Sequence, residues 1–213
     1  MAETTVVHLL RHGEVHNPHG VLYGRLPGYH LSKTGHLMAE TVAKAVADRD
    51  IVAIYSSPLE RALETAAPLA STLGLDVRDD ERLIEAGNLL QGRSVGQGLA
   101  ILRDPRNYRY FYNPMRPSWG EPYPAIVARM RTVVDDARAR ARGHEAVLVS
   151  HQLPIWTIRM AAEGRRRLWH DPRRRQCGLA SLTSFTFDGD RLVSIGYSEP
   201  AGSLAKGPSL PGA

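Results

Sequence analysis

Two arginines and two histidines follow short apolar runs that read as strands. Arg11 and His12 come directly after Thr5 to Leu10, Arg61 lies just beyond Ile51 to Tyr55, and His151 follows Ala146 to Val149 after one serine. In open parallel sheets the ligand crevice lies at the carboxyl ends of the strands, so three separate segments would deliver these four side chains to one edge. An apolar ligand has no use for such a set. A dianionic phosphoryl group does, because arginine gives bidentate charge-assisted hydrogen bonds and helix N-termini add oriented N–H groups. A histidine placed there can attack phosphorus in line and split the transfer into two steps, with positioned positive charge carrying most of the catalysis. A carboxylic acid must then protonate the leaving oxygen. The segment Glu81-Arg82-Leu83-Ile84-Glu85 supplies candidates, and Glu14 lies beside the nucleophile.

The elements that must position these groups alternate. After the first strand comes a loop rich in Gly, Pro, His and Asn, then a helix from the N-cap Ser32 to Asp48, with Leu37, Val42, Ala45 and Val46 at helical spacing. Ser57-Pro58-Leu59-Glu60 carries the serine, proline and glutamate of a capped helix start, and that helix should stop at Gly74. Residues 75–120 read as a short strand and a long insertion. In it Tyr108, Tyr110, Phe111, Tyr112 and Trp119 stand among arginines as a candidate lid. Helices are expected over Ala125 to Arg142 and from Leu153 to Glu163, and strands near Leu179 to Phe187 and Arg191 to Tyr197 around the turn Asp188-Gly189-Asp190. This pattern predicts an α/β fold, a three-layer α/β/α sandwich on a mainly parallel central sheet with an antiparallel edge strand. Residues 1–199 form one domain in this reading, and the Gly, Pro and Ser rich tail 200–213 is expected to be disordered.

Composition narrows the function classes. The chain has 213 residues, 43% hydrophobic and 23% charged, enough for one sizeable core. Its single cysteine, Cys177, excludes an internal disulfide and suits a reducing cytoplasm; no activating partner for the thiol is evident. No apolar run reaches the length of a membrane span, so a soluble cytoplasmic protein without a membrane partner is expected. The formal charge of +5 favours anionic partners. Much of that excess lies in Arg165 to Arg167 and Arg173 to Arg175, which read as solvated faces or loops rather than a nucleic-acid patch. His12, Glu14, His16 and His19 could suggest a metal cluster, but Gly13, Asn17, Pro18 and Gly20 argue against the helix that would align them, so no metal or other cofactor is expected.

The ordered motifs carry a resemblance. Leu10-Arg11-His12-Gly13-Glu14, then Gly24-Arg25 with Leu31-Ser32 and Gly35, then Ser56-Ser57-Pro58-Leu59 with Arg61-Ala62 and Thr65-Ala66, then Arg82-Leu83-Ile84-Glu85, then Val149-Ser150-His151 resemble, in family order, the signatures of the histidine phosphatase, or phosphoglycerate mutase-like, superfamily. The resemblance implies the phosphoglycerate mutase-like fold, with His12 as nucleophile, Arg11, Arg61 and His151 as the phosphate pocket and Glu85 as proton donor. It places Asn17, Tyr23 and Gly24 among the substrate contacts, together with Gln152, which stands where the family usually has glycine. Homodimers are common in the family. The reading is a phosphomonoester hydrolase acting on a small phosphorylated metabolite through a phosphohistidine. The alternatives are a phosphoglycerate mutase-type phosphotransferase and a non-catalytic module that binds phospholigands or nucleic acid.

Overall fold

The alternation of short apolar runs with amphipathic stripes builds one mixed sheet between two pairs of helices. The computed structural model describes residues 3–93, 120–165, 168, 170–171 and 174–205. In chain order the elements are β1 (Thr4–Arg11), α1 (Lys33–Ala45), β2 (Ile51–Ser56), α2 (Glu60–Leu73), β3 (Val77–Asp79), a 3-10 turn (Glu81–Leu83), α3 (Tyr123–Arg140), β4 (Glu145–Ser150), α4 (Gln152–Ala162), β5 (Leu182–Asp188) and β6 (Arg191–Ser198). The strand order is β3-β2-β4-β1-β5-β6. The first four strands pair in parallel, β5 runs antiparallel to both β1 and β6, and the expected Asp-Gly hairpin joins β5 to β6. The parallel interior explains why β1 and β4 read as nearly continuous apolar runs, since both faces are covered.

Successive residues on a strand point to opposite faces, and the two cores follow that period. Val7, Leu9, Ala146 and Leu148 pack with Ile126, Met130 and Val133 of α3 and Ile155 and Ile158 of α4. Leu10, Ile54, Val147 and Val149 pack on the other face with Met38 and Val42 of α1 and Ala62, Ala66 and Leu69 of α2. Helix ends follow the local chemistry. Ser32 Oγ accepts from Gly35 N at 3.0 Å at the start of α1, and Gly74 closes α2 in the left-handed region at φ 66°.

The expectation of a disordered tail fails for its first residues. Ala201 is fully buried in the second core, Leu204 packs against it, and Gly202–Leu204 form a 3-10 turn. Average composition hid two apolar anchors in a Gly, Pro and Ser tract. Residues 206–213 lie outside the described residues, as do residues 94–119 with the aromatic and basic stretch. Among the described residues no helix is long and apolar enough to cross a membrane.

One ion-pair cluster ties the starts of the central strands. Glu145 Oε2 meets His8 Nε2 at 2.9 Å and Arg49 Nε at 2.6 Å, and Arg49 Nη2 reaches Oε1 at 3.0 Å. Burial alone would raise the Glu145 pKa, but the His8 and Arg49 hydrogen bonds outweigh it and bring it to about 2. A depressed carboxylate pKa contributes stability above the unfolded value near 4.5, and that stability is lost as pH falls towards 2. Glu145→Gln is therefore expected to lower unfolding free energy by about 2 kcal/mol at neutral pH. Denaturant titrations of the two proteins should converge as the pH approaches 2, and a gap that persists there would exclude the carboxylate as its source.

Candidate active site

The register of three parallel strands decides what meets at the carboxyl edge. Arg11 lies opposite Ser150 and Ser56 opposite Val149, so β1, β4 and β2 end level. The backbone bonds continue one step past the strands: His12 N donates to Ser150 O at 3.1 Å and Ser57 N to Val149 O at 2.9 Å. His12 and His151 consequently emerge side by side with ring centroids 5.1 Å apart. Arg11 and Arg61 are both almost wholly buried beside them.

His12 Nδ1 lies 2.8 Å from the Gly13 carbonyl, an acceptor only, so the proton sits on Nδ1 and Nε2 keeps its lone pair. Burial first, then the charges of Arg61 and Arg11, hold the His12 pKa well below its usual value against that hydrogen bond. The ring is thus neutral at neutral pH, the form a nucleophile requires. Arg61 Nη2 donates to Gly24 O at 2.7 Å and approaches His151 Nδ1 at 3.4 Å, and the guanidinium lies 4.7 Å from the Tyr23 ring centroid. Its Nε and Nη1 are buried with no hydrogen-bond partner among the described residues. Buried donors of a charged group are costly to leave unmade, so these two atoms call for an anion. With Nδ1 facing Arg61, His151 carries its proton on Nε2, which donates to Ser57 Oγ at 2.8 Å. Its pKa too is held well below the usual value, by burial and then by Arg61.

Glu85 is buried, and its Oε1 accepts from Ala86 N at 2.7 Å. Burial pushes its pKa up against that bond and against the pull of Arg61, Arg175 and Arg11, so the carboxyl holds its proton further into the neutral range than an ordinary glutamate. The turn that carries it is braced on several sides. Arg25 Nε donates to Glu85 O at 2.6 Å, Arg129 Nη1 to Arg82 O at 2.5 Å and Ser150 Oγ to Leu83 O at 2.7 Å. Glu121 bridges the two arginines, with Oε2 2.9 Å from Arg25 Nη2 and Oε1 2.8 Å from Arg129 Nε.

The remaining sequence candidates divide. Tyr23 packs edge-on to His12 at 6.5 Å between centroids, and Gly24 enters through its carbonyl. Gln152 is buried and joins Arg175 Nη1 at 3.1 Å to the Cys177 carbonyl at 3.4 Å. Asn17 is not brought to the cluster by any hydrogen bond. Its Nδ2 donates to Val21 O at 2.8 Å and its Oδ1 accepts from Val21 N at 2.9 Å, closing its own loop.

The capping box expected at Ser57 to Glu60 is not formed. The helix begins at Glu60, whose Oε1 accepts from Gly28 N at 2.9 Å, and Ser57 is engaged by His151. Tertiary partners outbid the local cap. Sequence reasoning also missed Arg175, which turns inward from a run read as solvated, and the Cys177 carbonyl, which accepts from Arg11 Nη1 at 2.7 Å. The Cys177 thiol itself is pushed up to about 11 by burial, so it is no nucleophile at neutral pH. Among the described residues no group of three or more His, Cys, Asp or Glu side chains could hold a metal ion.

Residues 7–199 match the model of the histidine phosphatase superfamily, branch 1. The chain belongs to this superfamily. It is 61% identical over 201 residues to an uncharacterized protein of Mycobacterium tuberculosis, covering 94% of this chain and 99% of the relative. Among solved structures it resembles a mycobacterial glucosyl-3-phosphoglycerate phosphatase at 28% identity and a TM-score of 0.69, over 87% of this chain and 91% of the other. A phosphoglycerate mutase from Bacillus anthracis shares the fold at 17% identity and a TM-score of 0.72, over 95% and 96% of the two chains. The fold is thus phosphoglycerate mutase-like, as the motifs implied.

Two glycines of the superfamily-like motifs have a physical reason. A Cβ on Gly13 would lie 2.7 Å from Gly35 O, and one on Gly35 would lie 2.0 Å from Glu14 O. The turn behind His12 and the first turn of α1 touch backbone to backbone, with Ser32 N donating to Glu14 O at 2.8 Å. Gly35→Ala must push the His12 turn away from the helix. It is expected to destabilise the protein by about 2 kcal/mol and, through a displacement near the reacting group, to lower turnover about 100-fold. Thermal unfolding and steady-state kinetics of G35A check both effects; wild-type turnover would show that the close contact does not fix the imidazole.

Proposed function

We propose that the protein is a phosphomonoester hydrolase acting on a small phosphorylated metabolite through a phosphohistidine at His12. The observation that carries this reading is the combination at the strand ends of a neutral His12, Nδ1 bonded and Nε2 unprotonated, with an Arg61 guanidinium whose Nε and Nη1 have no described partner. In the first step His12 Nε2 attacks phosphorus, the bond to the ester oxygen breaks, and Glu85 gives that oxygen its proton. In the second step water attacks phosphorus as the P–N bond breaks, the Glu85 carboxylate takes the water proton, and inorganic phosphate leaves. Arg11 and Arg61 hold the equatorial oxygens, where charge accumulates in a loose transition state, and His151 joins them once its Nε2–H turns from Ser57 to the phosphoryl group. Two guanidinium groups supply the positive charge that a metal supplies elsewhere, so the reading requires no metal ion or other cofactor. The single cysteine accords with a cytoplasmic setting.

The relative that favours water over a bound acid as acceptor is the glucosyl-3-phosphoglycerate phosphatase, whereas the mutase likeness is one of fold alone. Rapid quench with labelled substrate is expected to trap an acid-labile, base-stable phosphoenzyme that is absent in His12→Ala, a variant expected to fold but not turn over. Label that survives acid, or remains in H12A, would overturn the nucleophile. If 3-phosphoglycerate gave primer-dependent 2-phosphoglycerate with little inorganic phosphate, the mutase reading would replace this one.

Glu85 has its own signature, because an acid is needed most for a poor leaving group. Glu85→Gln is expected to slow alkyl phosphate hydrolysis at least about 100-fold and p-nitrophenyl phosphate far less. The donor must be protonated, and its pKa is raised, so wild-type kcat/KM for alkyl phosphates should fall only as the pH climbs through that raised value. The E85Q profile should lose this limb. An equal loss on both substrates would assign Glu85 a structural role instead.

A further inference from the structure

Arg175 is used by neither the phosphoryl-binding set nor the proton transfer, yet it is built into the site. Its Nε donates to His170 Nε2 at 2.7 Å and its Nη1 to Gln152 Oε1 at 3.1 Å. Both acceptors are neutral. His170 donates through Nδ1 to Leu168 O at 2.8 Å, which leaves Nε2 as the acceptor, and burial holds its pKa below the usual value. Among the described residues no carboxylate forms an ion pair with Arg175 and none accepts from its Nη2. The guanidinium is half-buried; burial lowers its pKa and the charge of Glu85 is the first to oppose that, but Glu85 in the protonated form that the first step requires supplies no counter-charge.

Its position is fixed relative to the phosphoryl site. Gln152, which follows His151, holds Arg175 with its oxygen and donates with its nitrogen to the Cys177 carbonyl, the same oxygen that takes a bond from Arg11. A short chain of hydrogen bonds therefore runs from Arg175 to Arg11. Arg175 also lies close enough to Glu85 for each charge to act on the other, which puts it beside the proton donor. Tyr123 lines the same side, its ring 5.9 Å from that of His170. When Glu85 protonates the leaving oxygen, whatever that oxygen carries must extend beyond Glu85, away from His12.

We propose that Arg175, held by His170 and Gln152, binds an anionic substituent of the leaving alcohol, so that the preferred substrates are phosphomonoesters of hydroxy acids with a free carboxylate. This rests on the hydrolase reading above. A carboxylate suits the site better than a second phosphate, because one guanidinium balances a monoanion and leaves a dianion uncompensated.

Two matched pairs test the proposal: 3-phosphoglycerate against glycerol 1-phosphate, and phosphoglycolate against 2-hydroxyethyl phosphate, which differ only in a carboxylate exchanged for a carbinol. Wild-type kcat/KM is expected to favour the carboxylate member of each pair by about tenfold or more. Arg175→Gln should bring both ratios towards one, whatever happens to the absolute rates, and Arg175→Lys should restore part of them. A wild-type enzyme that shows no carboxylate preference overturns the proposal without any variant, and so does a preference that survives in R175Q. If the wild type prefers glycerol 1,3-bisphosphate to 3-phosphoglycerate and R175Q removes that preference, the ligand is a second phosphate and the carboxylate assignment falls. Hydrolysis of p-nitrophenyl phosphate that depends on His12 separates the two levels: its absence strikes the hydrolase reading, whereas its presence without carboxylate preference strikes only the role of Arg175.

Discussion

The buried charge of Arg61 is the constraint around which the site is organised. Its guanidinium is enclosed by the Gly24 carbonyl, the Tyr23 ring and His151, and two of its nitrogens meet no described acceptor. Desolvating a guanidinium costs several kcal/mol even after relaxation, and a protein that keeps such a group has built the complement of an anion. The same charge sets the state of its neighbours. It adds to burial in holding His12 and His151 neutral, and it opposes the effect of burial on Glu85 without cancelling it. Arginine remains charged in such surroundings while histidine does not, so one environment yields fixed cations beside uncharged imidazoles.

That arrangement survives only if the backbone holds it. Level strand ends set His12, Ser57 and His151 in a row, the Gly13 and Gly35 contact fixes the turn behind the first, and the Ser57 hydroxyl orients the last. Glu85 belongs to a separate turn, and the Arg25–Glu121–Arg129 bridge anchors that turn by its carbonyls. These ion pairs are partly enclosed and joined in a network, the setting in which such pairs contribute more than isolated surface ones. Their function is positional, since they grip the backbone beside the carboxyl rather than the carboxyl itself.

Much of this was legible in the chain. Nearly continuous apolar runs in β1 and β4 reported strands covered on both faces, and the stripe Ile126, Met130, Val133, Val134 and Ala137 reported the buried side of α3. Arg11, His12, Arg61 and His151 could be located because each lies at or just past the end of a strand, where one-dimensional order translates directly into position on a sheet edge. Only the first residues of the expected disordered tail depart from that reading, because Ala201 and Leu204 act singly, below the reach of composition.

What the sequence determined by itself was therefore the set of strand ends and the residue types placed on them, because strand and helix periods are local properties of the chain. What only the tertiary structure decided was which of several acceptors each polar group would choose. Ser57 had a helix N-terminus within reach, yet it accepts there only from Leu59 N at 3.4 Å and binds His151 more closely at 2.8 Å; Glu60 left its capping role for Gly28; Asn17 closed its own loop; Arg175 left a basic run that looked solvated and turned towards Gln152. Hydrogen-bonding groups are promiscuous in sequence and become specific only when burial removes water as a competitor. Burial also sets the protonation states of His12, His151 and Glu85, and it is a property of the packed molecule that no single segment contains.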